Sequence, residues 1–381
     1  MNPLPHYADL GAYSDLVAAA AGQHPLFPLA PPGRETRRKA WEVLGFTMGD
    51  EQPRDVRSEG TWTADGVTGE ALSWSVGFGP RTAGLLFKPE GAKEKLPGIL
   101  AFHDHGHFKF YGKERIADGP DGPLKEIVGY RATYYEGRAY ANLLARQGFV
   151  VLAPDCMMWG SRKFPLEVMP ERERSLAEAV GKTLGHDAAG PEVVRYNGAA
   201  YLHEHVVARY CTLLGTNITA VIAYEDRVAL NLLRAREDVR ADRVGAMGFS
   251  GGGLRATALR ATCDDLTACV VTGMMNTYDG LLDHSVAPHT WMLFPAGWGT
   301  RGDWPDLAAS GAPLPLLVQC AIDDAQFTPA GMRAADERMA AHYAYAGAPE
   351  AYRGEFYPGP HRFDAAMQEA AFAWLKQHLA G

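Results

Sequence analysis

From residue 98 onward the chain alternates short, uninterrupted apolar runs with longer stretches in which apolar positions recur at helical spacing. The runs lie at 98–102, 149–153, 244–247, 269–272, 314–320 and 352–356. Runs without polar alternation suit strands covered on both faces, and strands separated by helices suit a mostly parallel sheet with crossover connections. Helices are predicted at 136–146, 220–236, 254–261, 329–345 and 365–379, and Thr328 before Pro329 supplies an N-cap followed by proline at the first helical position. Earlier in the chain Leu72, Trp74, Val76 and Phe78 alternate with polar or small residues and 83–87 follows Gly79-Pro80, which predicts an antiparallel strand pair. A proline-rich stretch at 25–33 (Pro25, Pro28, Pro31, Pro32) divides an N-terminal helical arm, 1–45, from a body at 46–381. Within the arm, 34–45 reads as a short amphipathic helix carrying Ala40, Trp41 and Leu44, with Gly45 to close it. Roughly ninety residues separate Asp155 from Val244, more than a simple crossover needs. A helical insertion or lid at about 160–220, over the C-terminal edge of the sheet, is therefore expected.

Composition excludes several classes. With 47% hydrophobic and 22% charged residues in 381, the chain is neither disordered, collagen-like nor a coiled coil. A formal charge of −8, from 37 Lys+Arg against 45 Asp+Glu, and the lack of a basic block argue against nucleic acid or an anionic membrane as a partner. Five scattered cysteines (Cys156, Cys211, Cys263, Cys269, Cys320) never fall in a C-x-x-C spacing, so neither a disulfide framework nor a zinc knuckle is suggested. The start of the chain lacks a basic segment followed by an apolar one, and no window reaches about 18 uninterrupted apolar residues. A soluble cytoplasmic protein is expected.

The central chemical feature is Gly248-Phe249-Ser250-Gly251-Gly252, a G-x-S-x-G match between the run 244–247 and the helix 254–261. A serine forced into a tight strand-to-helix turn has its Oγ lifted above the sheet, and glycine two residues either side removes side chains that would collide there. Serine is a poor nucleophile at neutral pH, so a base and a residue to orient that base are required. In the strand-turn-helix arrangement they follow in the order acid, then histidine. Asp323-Asp324 closes the run 314–320, and His361 lies in Pro358-Gly359-Pro360-His361-Arg362-Phe363 beyond the last predicted strand. We take Asp324 as the acid, with its neighbour Asp323 as the alternative, and His361 as the base. His284 and His289 precede the acid, His203 and His205 fall in a helical stretch, and His378 ends the final helix, so each fits the order less well. Acyl transfer further requires donors for an oxyanion. Backbone N–H groups of Gly251 and of the loop His103-Asp104-His105-Gly106-His107, at His105 or Gly106, are the candidates. The same loop is the best case for a metal site, because imidazole and carboxylate both suit zinc or iron. It lacks a helical H-E-x-x-H spacing, and neither a metal nor another cofactor is expected.

These residues together, with Phe102-His103-Asp104-His105-Gly106, Ala153-Pro154-Asp155 and Gly160-Ser161, resemble the α/β-hydrolase superfamily, and within it the dienelactone-hydrolase-like and acetyl-xylan-esterase-like branch. The resemblance runs from about Arg34 to Leu379. It implies an α/β-hydrolase fold, Ser250 as nucleophile, His361 as base and Asp324 as acid. Two features depart from the branch: the doubled aspartate, and Asp104 where a glycine commonly follows the first histidine. Serine in place of a cysteine nucleophile disfavours a dienelactone substrate, so the resemblance implies hydrolysis of a small or carbohydrate-linked carboxylic ester. The alternatives are a peptidase or amidase using the same residues and a catalytically silent ligand-binding member. Trp298 and Met274, from a segment that also holds Met275, Trp291 and Trp304, are candidates to line the substrate pocket. Arg195-Tyr196-Asn197, His203-Glu204, Tyr224-Glu225-Asp226 and 343–347 share the resemblance without an assignable chemistry.

Overall fold

The computed structural model describes residues 7–380 apart from 32 and 284, so His284 and Pro32 lie outside the described residues. In chain order the elements are α1 (Asp15–Ala21), α2 (Arg34–Leu44), β1 (Arg54–Ala64), β2 (Val67–Ser75), β3 (Thr82–Pro89), β4 (Leu96–Phe102), α3 (Lys125–Tyr135), α4 (Tyr140–Arg146), β5 (Val150–Pro154), α5 (Glu171–Thr183), α6 (Pro191–Leu213), α7 (Ile218–Arg234), β6 (Val239–Phe249), α8 (Gly251–Thr262), β7 (Ala268–Thr272), α9 (Asp279–Leu282), α10 (Trp304–Ala309), β8 (Leu316–Ala321), α11 (Pro329–Tyr345), β9 (Tyr352–Tyr357) and α12 (Ala365–Leu379). The nine described strands form one sheet in the order β1-β2-β3-β5-β4-β6-β7-β8-β9. From β1 to β5 the neighbours are antiparallel, and from β5 through β4 to β9 they are parallel.

Continuous apolar runs are explained by the two cores. Leu100, Phe102, Leu152, Ala246, Val271 and Val318 point to one face, where they meet α7, α8 and α2 residues such as Leu44. Their strand neighbours Ile99, Ala101, Val151, Met247, Val270 and Leu317 point to the other, against α4 and against Phe372 and Leu375 of α12. Because alternate residues take opposite faces, a strand with both faces covered must be apolar at every step. The strands called for by the apolar runs are all present. Among the described residues no single helix is long and apolar enough to cross a membrane.

Three elements differ from expectation. The predicted helix 136–146 begins instead at Tyr140, because Glu136 and Gly137 hold φ of 55° and 76° and terminate a separate helix, α3. α3 escapes prediction because, of its four buried residues, Tyr130, Arg131 and Tyr135 carry polar tips and Ile127 alone makes no apolar stripe. β1 escapes because every residue except Trp62 is exposed. It is a polar edge strand whose pairing with β2 is interrupted by irregularities at Arg54/Arg57 and Ser58/Gly60, a feature that discourages edge-to-edge association.

After β4 the chain crosses to β5 on one side, and after β5 it returns to β6 on the other. The C-terminal ends of β4 and β6 therefore border the crevice where the winding direction reverses, the usual place for a ligand in an open α/β sheet. The long connection between β5 and β6 supplies α5 and α6, which pack on each other, before α7 returns to the sheet.

Candidate active site

β6 ends at Phe249 and α8 begins at Gly251, so Ser250 alone turns the chain. Its φ of 54° and ψ of −123° are values that side-chain-bearing residues rarely adopt. The turn is held by the Ser250 N–H donating to the Thr272 carbonyl at 2.8 Å and by Leu254 N–H donating to the Ser250 carbonyl at 3.0 Å. Glycine is required around it: a Cβ at Gly248 would strike the Gly252 backbone, one at Gly252 the Phe102 carbonyl, and one at Gly251 the His105 backbone. The Ser250 hydroxyl does not cap α8; its Oγ lies 2.9 Å from His361 Nε2.

His361 Nδ1 is 2.5 Å from Asp324 Oδ2. Asp324 is 4% exposed, and its Oδ1 accepts the Gln326 N–H at 2.8 Å. A carboxylate only accepts, so the neutral imidazole carries its proton on Nδ1 and presents Nε2 as an acceptor to the serine hydroxyl. The His361 ring lies 4.6 Å from the Phe249 ring, which fixes its plane. Asp323 has a different task. Its Oδ2 accepts the Gly359 N–H at 2.8 Å and its own N–H donates to the Gly359 carbonyl at 3.2 Å, bracing the loop that carries His361. Asp324, not Asp323, touches the imidazole.

The loop after β4 faces this group. The His105 backbone nitrogen lies against the position a Cβ on Gly251 would take, so the His105 amide borders the residue that follows Ser250. Asp104, the departure noted above, is 2% exposed and faces away into a buried ionic cluster. It pairs with Arg115 at 3.0 Å and accepts the hydroxyls of Tyr135, at 2.5 Å, and Tyr130. Burial, reinforced by the Asp104 carboxylate, pushes both tyrosines well above their ordinary pKa, so they stay hydroxyl donors. The imidazoles of His103 and His105 turn to different partners, Arg115 and Glu204, and among the described residues no three His, Cys, Asp or Glu side chains converge as a metal site would require. Asp155, just after β5, is buried and has a structural role, accepting from Lys113 Nζ and from the Ser161 N–H, both at 2.9 Å.

A cleft opens over Ser250 and His361, walled by His107, Tyr134, Leu184, Pro288, His289 and Met274 among others. Met274, one of the two candidates for the pocket lining, borders this cleft. Trp298 does not: it is fully buried, its indole N–H donating to the Asp303 carbonyl at 2.9 Å, and it packs in the core beyond the cleft. A large apolar side chain in a segment of mixed pattern has no feature by which sequence separates core from pocket. Trp304 is likewise core, whereas Trp291 is exposed and donates to His205 Nδ1 at 2.8 Å. His289 enters the wall through a contact of Nε2 with the Gln326 carbonyl, at 3.0 Å. Burial lowers His107 to about 3 and His289 to about 4, so both walls are neutral at pH 7. His203 and His205 lie on α6, and the His378 ring lies tilted against Trp374 at the end of α12. The residues sequence reasoning missed, among them Arg115, Tyr130 and Thr290, are contributed by loops and helices whose role depends on contacts remote in the chain.

No protein-family profile matches the chain. It is 22% identical over 347 residues to "Putative hydrolase YtaP" of Bacillus subtilis (strain 168), covering 91% of this chain and 99% of that one. Among solved structures it is similar to a "putative acetyl xylan esterase" from Bacteroides fragilis NCTC 9343, with a TM-score of 0.66, 17% identity, and coverage of 91% of this chain and 82% of that one. A glucuronoyl esterase from Solibacter usitatus superposes with a TM-score of 0.59 at 14% identity, covering 91% and 92%. With its strand order, its serine turn between β6 and α8 and these likenesses, the chain has the α/β-hydrolase fold.

Proposed function

We propose that this protein is a serine hydrolase of carboxylic esters, of the esterase or deacetylase type, working through Ser250, His361 and Asp324. One observation carries the reading: a strained serine whose hydroxyl meets an imidazole at 2.9 Å, the other nitrogen of that ring being held by a buried carboxylate at 2.5 Å. Ser250 Oγ attacks the ester carbonyl while His361 Nε2 takes its proton, and Asp324 keeps the ring in the tautomer that can do so and stabilises the imidazolium. The Gly251 and His105 N–H groups receive the oxyanion of the tetrahedral intermediate. His361 then returns the proton to the departing alcohol, and water attacks the acyl-serine by the same steps in reverse. Among the described residues that line the cleft none is lysine or arginine, which favours an uncharged ester over a free carboxylate-bearing one. The substrates named for similar structures, acetylated xylan and glucuronoyl esters, support a small or carbohydrate-linked ester.

The test is a panel of p-nitrophenyl esters of graded acyl length with wild type and Ser250→Ala, together with fluorophosphonate labelling. Turnover confined to wild type, with label on Ser250, is expected, and kcat in Ser250→Ala falls by about 10⁴-fold or more. Equal turnover by the variant, or folded protein that takes up no label, overturns the reading.

A further inference from the structure

Glu204 is a buried carboxylate that the reaction as written does not use. It sits on α6, in the connection between β5 and β6, and is 5% exposed. Four donors converge on it from two separate walls of the cleft. From the loop after β4 come His105 Nε2, at 2.8 Å from Oε2, and Lys109 Nζ, at 2.5 Å from the same oxygen. From the segment before α10 come Thr290 Oγ1, at 2.5 Å from Oε1, and the Trp291 N–H, at 3.2 Å. An ionised carboxylate has about four acceptor positions, and here each is taken. The ion pair with Lys109 and the hydrogen bonds together offset the removal of the charge from water.

The tautomer of His105 follows from its contacts. Its Nδ1 accepts the His107 N–H at 3.1 Å, so the ring proton is on Nε2 and is donated to Glu204. The His105 carbonyl is held as well, accepting from Trp159 Nε1 and Arg115 Nη1, both at 3.2 Å. Ring and carbonyl being fixed, the His105 N–H that abuts Gly251 has little freedom to move. Glu204 supplies the hold on the ring, and ties it through Thr290 to the opposite wall, where Thr290 itself lines the cleft.

We infer that Glu204 is a positioning residue for the oxyanion-binding backbone: anchored on α6, it fixes the His105 amide beside Gly251 and couples that amide to the Thr290 wall. This rests on the serine-hydrolase reading. A glutamine at 204 would set an amide NH₂ against donors on one wall or the other, since an amide offers one oxygen where the carboxylate offers two. The damage falls on binding of the developing oxyanion, which exists only in the transition state, so kcat drops while KM stays.

The experiment measures hydrolysis of p-nitrophenyl acetate by wild type, Glu204→Gln and Thr290→Val, with inhibition by a boronic acid that forms a tetrahedral serine adduct. The expected result for Glu204→Gln is a kcat lower by about tenfold or more, KM within about threefold, and weaker boronate inhibition in parallel with kcat. Thr290→Val, which removes one of the four donors, shows a smaller change of the same kind. The double variant Glu204→Gln/Lys109→Met relieves the unmatched lysine charge and is read in the same way should the single variant not fold. Independently of any variant, ¹⁵N NMR of the wild type at pH 7 should show His105 as the neutral Nε2–H tautomer. A protonated ring or an Nδ1–H tautomer overturns the inference, as does an unchanged kcat in a folded Glu204 variant or a loss confined to KM. If the wild type itself has no Ser250-dependent turnover, it is the functional reading that has failed instead.

Discussion

Ser250 holds a backbone conformation that glycine reaches with less strain, and this sets stability against activity at one residue. With φ at 54° and ψ at −123°, the side chain adds strain of order 1–3 kcal/mol that the surrounding hydrogen bonds must hold in place. Ser250→Gly is expected to raise the unfolding free energy by about 1 kcal/mol, the relief being partly offset by the freer unfolded chain, while abolishing ester turnover. Denaturant titration beside an activity assay reads both, and a less stable glycine variant would show that the turn is not strained. The paired aspartates separate just as sharply. Asp324→Asn leaves an amide facing His361 Nδ1, favours the wrong tautomer and is expected to lower kcat by about 10²–10⁴-fold. Asp323→Asn keeps an oxygen for the Gly359 N–H and is expected to change kcat by less than about tenfold. Equal losses in the two variants would remove the distinction between them.

Helix α8 carries the serine turn, and its seat depends on one buried pair. Arg255 on α8 and Asp226 on α7 are each 1% exposed and meet through two hydrogen bonds, of 2.7 and 3.1 Å, while the guanidinium lies 4.3 Å over the Phe102 ring at the end of β4. Asp226→Ala leaves that cation buried without its partner and is expected to destabilise the fold by about 3–5 kcal/mol, whereas Asp226→Leu/Arg255→Met recovers much of the loss. Urea unfolding of the two variants decides it; a single variant as stable as wild type would show that α8 does not depend on the pair. Tyr224-Glu225-Asp226 thus has a structural use: the Tyr224 hydroxyl donates to Val76, Glu225 binds Arg162 and the Met157 N–H, and Asp226 binds Arg255. Three successive residues find partners because α7 is buried nearly all round. Elements of this kind mark how far the sequence is legible. Apolar runs locate β4 to β9, since both faces are covered, and glycine spacing locates Ser250, since its cause is local sterics. A polar edge strand such as β1 and a helix with a polar inward face such as α3 leave no periodic trace. Glu204 is visible in sequence only as part of a pair without a role, because its partner His105 lies 99 positions away. Trp298 and Met274 look alike in sequence, and only the fold separates core from cleft.

For the molecule as a whole, folding keeps a set of imidazoles neutral around the cleft, and this ties stability to pH. Burial lowers His107 to about 3, His186 to about 4 and His289 to about 4, and it lowers His103 and His105 as well. In the unfolded chain each of these rings titrates near about 6.5. Between the folded and unfolded values the unfolded chain binds more protons, so stability rises with pH there and is lost as pH falls below about 6.5. Asp303 acts in the opposite sense. Burial raises its carboxyl to about 6, so the folded protein keeps a proton that the unfolded chain has released, and this group favours folding increasingly as pH falls through 6 toward about 3.9. Burial raises Glu225 and Asp226 in the same sense, but these three carboxyls stand against five imidazoles, with His203 and His378 lowered as well, and the balance is net proton uptake on unfolding at pH 5. Below pH 4 the depressed carboxylates Glu204 and Asp155 extend the loss, since each must be protonated before its partners release it. The Tm at pH 5 should therefore lie below that at pH 7.5, and calorimetry in buffers of different ionisation enthalpy should register protons taken up on unfolding. His186→Gln removes one of the rings and should shallow the decline. A Tm that holds or rises between pH 7.5 and 5 would mean that these rings are already protonated in the folded protein, with cations rather than neutral rings walling the cleft.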